Sequence, residues 1–306
     1  MFLFRDKLLL LKVETTYGTD ATPSAAANAF LTSDLTISFQ GQKVELDYDS
    51  GMLGNMGNIP VGTHVQATFK VKLAGSGVAG TAPAYGPALK ACRMAEVTDA
   101  GVSVTYNPVA GLGDSASLYF FNGGIRYKIF GWRGSFKASL SVLGVPEVEF
   151  TGLGLWGGRA DTAMPTPTLT AWIDPVEVSA VNTAVTLHTI PVNAKNFSID
   201  IANGPKYREA TEQATVILGN RKPTGSVQFD AVALATKDWA AAALARTLGT
   251  MTVAHGLTAG NIVTIAAPRV QVELPTWSSD DDILAESLAL NFVPDTGNDE
   301  FTIAFT

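Results

Sequence analysis

Val65-Gln-Ala-Thr-Phe-Lys-Val-Lys-Leu73 alternates apolar and polar side chains without a break. Successive side chains of a strand point to opposite faces, so the stretch predicts a β-strand with one face buried and one wet. The same period recurs in Leu35–Phe39, Phe136–Val142, Phe197–Ile201, Val227–Val232 and Phe301–Phe305. Clusters of Gly, Pro, Asn and Asp punctuate these runs at Gly54–Gly62, Asn107–Asp114, Gly219–Gly225 and Pro294–Asp299. Only Pro87–Ala95 and Lys237–Leu248 read as helices, the second through strong helix formers and an apolar face. The expected fold is mainly β, of sandwich or partial-barrel type, with short flanking helices.

Hydrophobic residues make up 46% of the 306 and charged residues only 16%, against roughly 25% charged in ordinary soluble domains. Monomers rely on charge to stay apart, so this balance favours self-assembly. Net charge is −7 and no run of Lys and Arg occurs, which argues against a tight grip on nucleic-acid phosphates. The one cysteine, Cys92, cannot form an internal disulfide and reads as a small buried hydrophobe, in keeping with a reducing cytoplasm. In Met1–Val13 the apolar run Leu8–Leu11 is short and flanked by Arg5, Asp6, Lys7 and Lys12, which is not the pattern of a signal peptide. No run approaches the length of a membrane span, so no membrane anchor is expected.

A weak duplication runs through the chain. Leu35–Phe39 falls on Phe197–Ile201 at an offset of 162, Pro60 and Gly62 on Pro223 and Gly225 at 163, and Val65-Gln66 on Val227-Gln228. Each half reads strand, glycine-bearing loop, strand, helix, strands, closing hairpin. The closing pairs are Ser139-Leu140 with Glu149–Thr151, and Ser287-Leu288 with Glu300–Thr302. Gly157–Pro167 has the composition of a boundary. The expected organisation is an arm plus first domain over 1–160, a linker and leading strand over 161–192, and a second domain over 193–306. Two similar domains per chain would let three chains fill six places in a ring.

Residues that could carry chemistry do not converge. His64, His188 and His255 are far apart, and no metal-binding spacing exists. Asp280-Asp281-Asp282 with Glu286 lacks the spacing and glycine of a calcium loop and reads as a solvated hairpin tip. Gly75-Ser-Gly77, Gly111-Leu-Gly113 and Gly152-Leu-Gly154 open no helix after a buried parallel strand and read as turns. The five tryptophans stand singly, as packing residues do. No catalytic, cofactor-binding or metal-binding residue is expected.

Two stretches carry a likeness. Leu11–Leu31 holds Glu14, Gly18 and Thr19 in a Glu-x-x-x-Gly-Thr pattern, followed by small residues and the strand Leu35–Phe39. Asn122–Gly157 holds Asn122-Gly-Gly, Gly131-Trp-Arg-Gly134 and Pro146-Glu-Val-Glu-Phe-Thr-Gly152. Both resemble the major tail, or tail tube, proteins of long-tailed, siphovirus-like bacteriophages. The resemblance implies a β-sandwich domain, here duplicated, whose sheets join between subunits into a barrel. Stacked rings would then form a tube that conducts genomic DNA from capsid to host without binding it specifically. It implies a structural, non-enzymatic virion protein assembled in the host cytoplasm. Its partners would be itself, as a homotrimer or else a homohexamer, and the tape measure, tail terminator and distal tail proteins. The arm Leu8–Thr19 and the loops Gln42–Thr63 and Lys206–Thr224 would bridge rings or subunits. The contact residues expected there are Leu11, Glu14, Tyr17, Gly18, Asp47, Met52, Gly54, Met56, Tyr207, Glu209, Gly219 and Arg221. A tandem β-sandwich binding module, or another virion component such as an adhesin, baseplate or capsid part, is the alternative reading.

Overall fold

The stretch Val65–Leu73 is a strand and its continuation into the loop beyond, with Val65, Ala67, Phe69, Val71 and Leu73 all buried. The computed structural model describes residues 5–49, 51 and 54–306. Met52, one of the expected contact residues, lies outside the described residues. The first half contains β1 (Lys7–Val13), β2 (Ala29–Phe30), β3 (Ser33–Glu45), β4 (Asn58–Lys72) and α1 (Gly86–Ala91), then β5 (Met94–Asp99), β6 (Ser103–Pro108), β7 (Ala116–Asn122), β8 (Ile125–Ser141) and β9 (Glu147–Asp161). The second half contains β10 (Thr183–Leu187), β11 (Ile190–Val192), β12 (Ala194–Asp200), β13 (Pro205–Ala210), β14 (Gln213–Leu218) and β15 (Thr224–Asp230). It continues with α2 (Trp239–Leu244), β16 (Leu248–His255), β17 (Val263–Val272), β18 (Thr276–Asp280), β19 (Ile283–Phe292) and β20 (Thr302–Phe305).

The strands form a β-sandwich-type fold. One layer runs β3-β4-β9-β8-β12-β15-β19-β18, every neighbour antiparallel. A second runs β5-β6-β20-β17-β16-β10-β11. Strands β2, β1 and β7 close the first half against the start of β8. Strand β8 serves two neighbours on one edge, β7 along its first part and β12 along its last, and the register shift between Phe130 and Arg133 marks its bend. One continuous cluster of buried residues runs from Leu9 to Phe305 and includes Phe69, Trp132, Phe150, Phe197, Phe229 and Phe292. Cys92 is fully buried within it, and burial pushes its thiol pKa up.

The halves share an order of elements. Strands β3-β4-β9-β8 and β12-β15-β19-β18 are laid down in the same sequence, and a helix follows the second strand in each. Both helices end two residues before an arginine with positive φ: Arg93 follows Cys92 at +70° and Arg246 follows Ala245 at +54°. These left-handed turns stop the helices at Ala91 and Leu244, short of the expected Ala95 and Leu248, and start strands β5 and β16. On α2, the Asp238 carboxylate accepts from the Ala241 N–H at 2.9 Å as an N-cap.

Four further expectations need correction. The loops over 42–63 and 206–224 are largely paired: β3 and β4 continue as a ribbon to Glu45 and Asn58, and β13 pairs with β14. Their alternating residues suit a ladder as well as a loop. Gly157–Asp161 belongs to β9, paired with Ile125–Tyr127 of β8. Gly152-Leu-Gly154 lies inside the same strand, where a side chain at Gly152 would sit 2.5 Å from the Trp132 indole. Finally, Ser287-Leu288 pairs with β18 and β15, whereas β20 joins β17 and β6.

Candidate functional site

The eight-strand layer turns its apolar side chains inward and presents a polar face outward. Its composition follows the strands row by row. Thr36, Thr68, Thr151 and Ser135 stand side by side, with the Thr68 and Thr151 hydroxyls 3.2 Å apart. Lys70, Glu149, Lys137 and Asp200 form a second row of alternating sign. Across the joint between the halves, Ser139, Ser198, Ser226 and Ala289 form a third, with the Ser198 and Ser226 hydroxyls 2.9 Å apart.

The lysines on this face are matched by carboxylates. Lys70 binds Asp34 at 2.8 Å, Lys72 binds Glu147, and Lys195 lies 2.5 Å from Asp280 and 3.6 Å from Asp230. Lys137 lies in register with Glu149 on one side and Asp200 on the other. Hydrogen bonds donated to Asp34 and Asp280 raise the pKa values of Lys70 and Lys195, so the lysines stay charged but compensated. The result is a face of hydroxyls and amides on which Lys70, Lys72 and Lys195 are ion-paired and Lys137 stands between two carboxylate positions.

The Glu-x-x-x-Gly-Thr stretch is a buried junction. Glu14 Oε2 accepts from Gly18 N–H at 2.8 Å and Ser115 Oγ at 2.7 Å; Oε1 accepts from Ser117 Oγ at 2.8 Å and Gly131 N–H at 2.7 Å. Four donors thus converge on one carboxylate that is 8% exposed. Tyr17 lies under the Arg133 guanidinium, 4.5 Å from ring centroid to carbon, and its hydroxyl accepts from Val216 N–H at 2.5 Å. Arg133 in turn donates to the Val216 carbonyl at 2.9 Å. The N-terminal segment, β8 and the β13–β14 hairpin are therefore tied at one point. Nearby, Asp20 is partly buried, which would raise its pKa, but bonds from Lys128 and Tyr119 outweigh this and lower it.

The expected contact residues divide by exposure. Leu11 is fully buried in register with Leu118, and Glu14, Tyr17 and Gly18 are committed to the junction just described. Gly219 accepts from Arg93 at 2.8 Å, and Arg221 binds Glu300 at 2.8 Å and the Val109 carbonyl at 2.9 Å. These contacts are all internal to the subunit. Asp47 and Gly54 are exposed near the tip of the β3–β4 ribbon, where Met56 is half-buried. Tyr207 and Glu209 line a cleft at the ribbon's root, with the Tyr207 ring stacked on His64 at 4.3 Å.

The sequence reading missed Arg133 as an anchor and missed the two open edges of the eight-strand layer, β3 and β18. Arg133 was in view inside Gly131-Trp-Arg-Gly134, but its partner lies 83 residues away. Trp277 on β18 is 62% exposed, unlike the buried Trp132 and Trp239.

Among the described residues no three His, Cys, Asp or Glu side chains are grouped to hold a metal ion, and no helix is long and apolar enough to cross a membrane. No curated protein matches the chain. The family described as phage tail tube protein matches residues 5–292, nearly the whole chain. The chain belongs to that family, and it is a structural component of the virion whose kind self-assembles into the tail tube.

Proposed function

We propose that three copies of this chain close a ring, β3 of each pairing with β18 of the next, and that the polar face of the joined sheets lines the channel. The observation that carries this is the joint inside the chain. Strand β8, fourth in the eight-strand layer, pairs with β12, fifth, from Ser141–Asn196 to Lys137–Asp200. Strand β18 stands where β8 does in its half, and β3 where β12 does. The internal joint is therefore a template for a joint between chains. Unpaired edges invite such pairing, and a closed ring removes them.

On this reading the chain holds two tandem tail-tube domains, and three chains do what six single-domain chains would do. Three eight-strand layers would make a barrel of roughly 24 strands with a backbone diameter on the order of 45 Å at ordinary barrel tilt. That is room enough for duplex DNA. A lining whose lysines are already matched by carboxylates offers the phosphates little counterion release, so DNA passes without being held. Rings stack through the β3–β4 ribbon, with Asp47, Gly54 and Met56 at its outer part and Tyr207 and Glu209 at its root. The tape measure protein would occupy the lumen before DNA does, and the tail terminator and distal tail proteins would cap the tube's ends.

Electron microscopy of single rings tests the symmetry: a threefold projection with six lobes is expected, and strict sixfold symmetry from six chains would overturn it. Proline substitutions test the edge. Of neighbouring residues Ser278 and Ser279, one N–H faces β19 and the other faces away. Whichever of Ser278→Pro and Ser279→Pro leaves the subunit's melting temperature unchanged should abolish rings. Normal rings from both variants refute the β18–β3 joint.

A further inference from the structure

We propose that Leu143, at one end of the subunit, seats against the apolar side of the β3–β4 ribbon at the opposite end of a second copy, stacking one ring on the next. The inference rests on the barrel reading above. The ladder between β4 and β9 defines the two ends: His64 pairs with Leu155 at the hairpin end, and Lys72 with Glu147 at the turn end. At ~3.3 Å per residue these ends lie about 26 Å apart. In a stack of rings whose strands run along the channel, the hairpin end of one copy meets the turn end of the next, a head-to-tail contact.

The hairpin end carries an amphipathic ribbon. On one side Val44 faces Ile59 and Gln42 faces Val61; on the other Lys43 faces Pro60 and Glu45 faces Asn58. Val44, Ile59 and Val61 are 50%, 49% and 38% exposed. A two-stranded ribbon with an open apolar side is marginal by itself and calls for a cover. Val61 and Gln42 also line a cleft of about 650 Å³ whose opposite wall is Lys206, Tyr207 and Glu209.

The turn end carries a knob that fits this need. Leu143 sits in the β8–β9 turn with φ +64° and is 95% exposed, the most exposed large hydrophobic side chain among the described residues. Its N–H donates to the Val178 carbonyl at 3.1 Å and the Gly144 N–H to the Ser141 carbonyl at 3.0 Å, so the turn is pinned in place. Val142 and Val145, each 40% exposed, flank it along the turn. One end thus holds an uncovered apolar ribbon side, Val44, Ile59 and Val61, at the mouth of a mostly polar cleft; the other holds an uncovered apolar projection, and tube assembly brings the two ends together.

The test uses the full chain. Leu143→Asp should leave the subunit's melting temperature unchanged and rings intact, with loss of tubes in negative-stain images. Tubes assembled from a mixture of Ile59→Cys and Leu143→Cys chains should give a dimer band with a short bis-maleimide, and neither variant alone should. Cys92 is fully buried and does not compete. Normal tubes from Leu143→Asp, or mixed tubes that form without the cross-link, overturn the inference while leaving the ring intact. Absence of rings in the unaltered chain instead overturns the barrel reading, and this contact with it.

Discussion

Replacing Glu14 by glutamine changes almost no volume, so its effect isolates hydrogen bonding at the N-terminal junction. Each Glu14 oxygen accepts one backbone N–H and one serine hydroxyl. A glutamine can keep one oxygen and must set an NH₂ where the other stood. The serine hydroxyl on that side can rotate to accept, but the backbone N–H cannot. Whichever way the amide turns, the N–H of Gly18 or of Gly131 meets another donor in a site 8% exposed. An unsatisfied buried donor costs about 1–3 kcal/mol, and losing charge assistance on the remaining pair adds roughly 1 kcal/mol. The expected total is about 2–4 kcal/mol. At ~2 °C per kcal/mol for a chain this long, Glu14→Gln should melt about 4–8 °C lower. Calorimetry should be done on unassembled subunits, in the ring-blocking proline background, because assembly would mask the change. A melting temperature within about 2 °C of the parent would refute the four-donor account.

Two other substitutions probe neighbouring physics. Gly131 has φ +59°, and a side chain there would lie 2.7 Å from Tyr17 Cζ, so Gly131→Ala combines backbone strain with eviction of Tyr17. It should cost about 2–3 kcal/mol, against roughly 1 for Gly101→Ala, which has a similar φ and open space; equal losses in urea titrations would show that Tyr17 is not displaced. Glu286 is 7% exposed, and burial raises its pKa above the usual 4.5. The folded state then holds this proton more tightly than the unfolded chain. The stability this lends is present at acid pH and lost as pH rises through 4.5 toward the raised value. Glu286→Gln should therefore raise the melting temperature by about 1–3 °C at pH 7 and not at pH 4; a gain of the same size at both would contradict the assignment.

The fold was legible wherever one rule acted locally. In Val65–Leu73, Phe136–Leu140 and Val227–Phe229 the apolar positions are the buried ones, because a strand's faces alternate whatever lies beside it. Phe39 breaks the rule, being 55% exposed, because β3 leaves the core there and becomes ribbon. Register was not legible. The sequence alignment matches Phe39 with Ile201, yet Phe39 faces Val65 while Phe197 faces Val227. The slip is four residues, an even number, so every side chain keeps its face and hydrophobic patterning cannot detect it. Nor could the sequence reveal which edges stay open, since β8 meets β12 across more than fifty residues of chain. The junction was half legible: Glu14 and Gly18 were in view as a motif, but Ser115, Ser117 and Gly131 arrive from β7 and β8 only after folding.

The joint between β8 and β12 also bears on how a ring would come together. Every second seam of a ring of three is already closed when a chain folds, at the effective concentration of a tether and not that of the cell. Only three seams between chains remain to be made correctly, two by bimolecular encounter and the last by closure of the ring. If the halves are copies they are also free to diverge, and they differ: one sends out the long β3–β4 ribbon, the other folds the β13–β14 hairpin back onto β8 and β9. A ring with three ribbons can sit on its neighbour in three equivalent orientations where a uniform ring would have six. Such a tube would have a rotational register that its subunits must read at every step of growth.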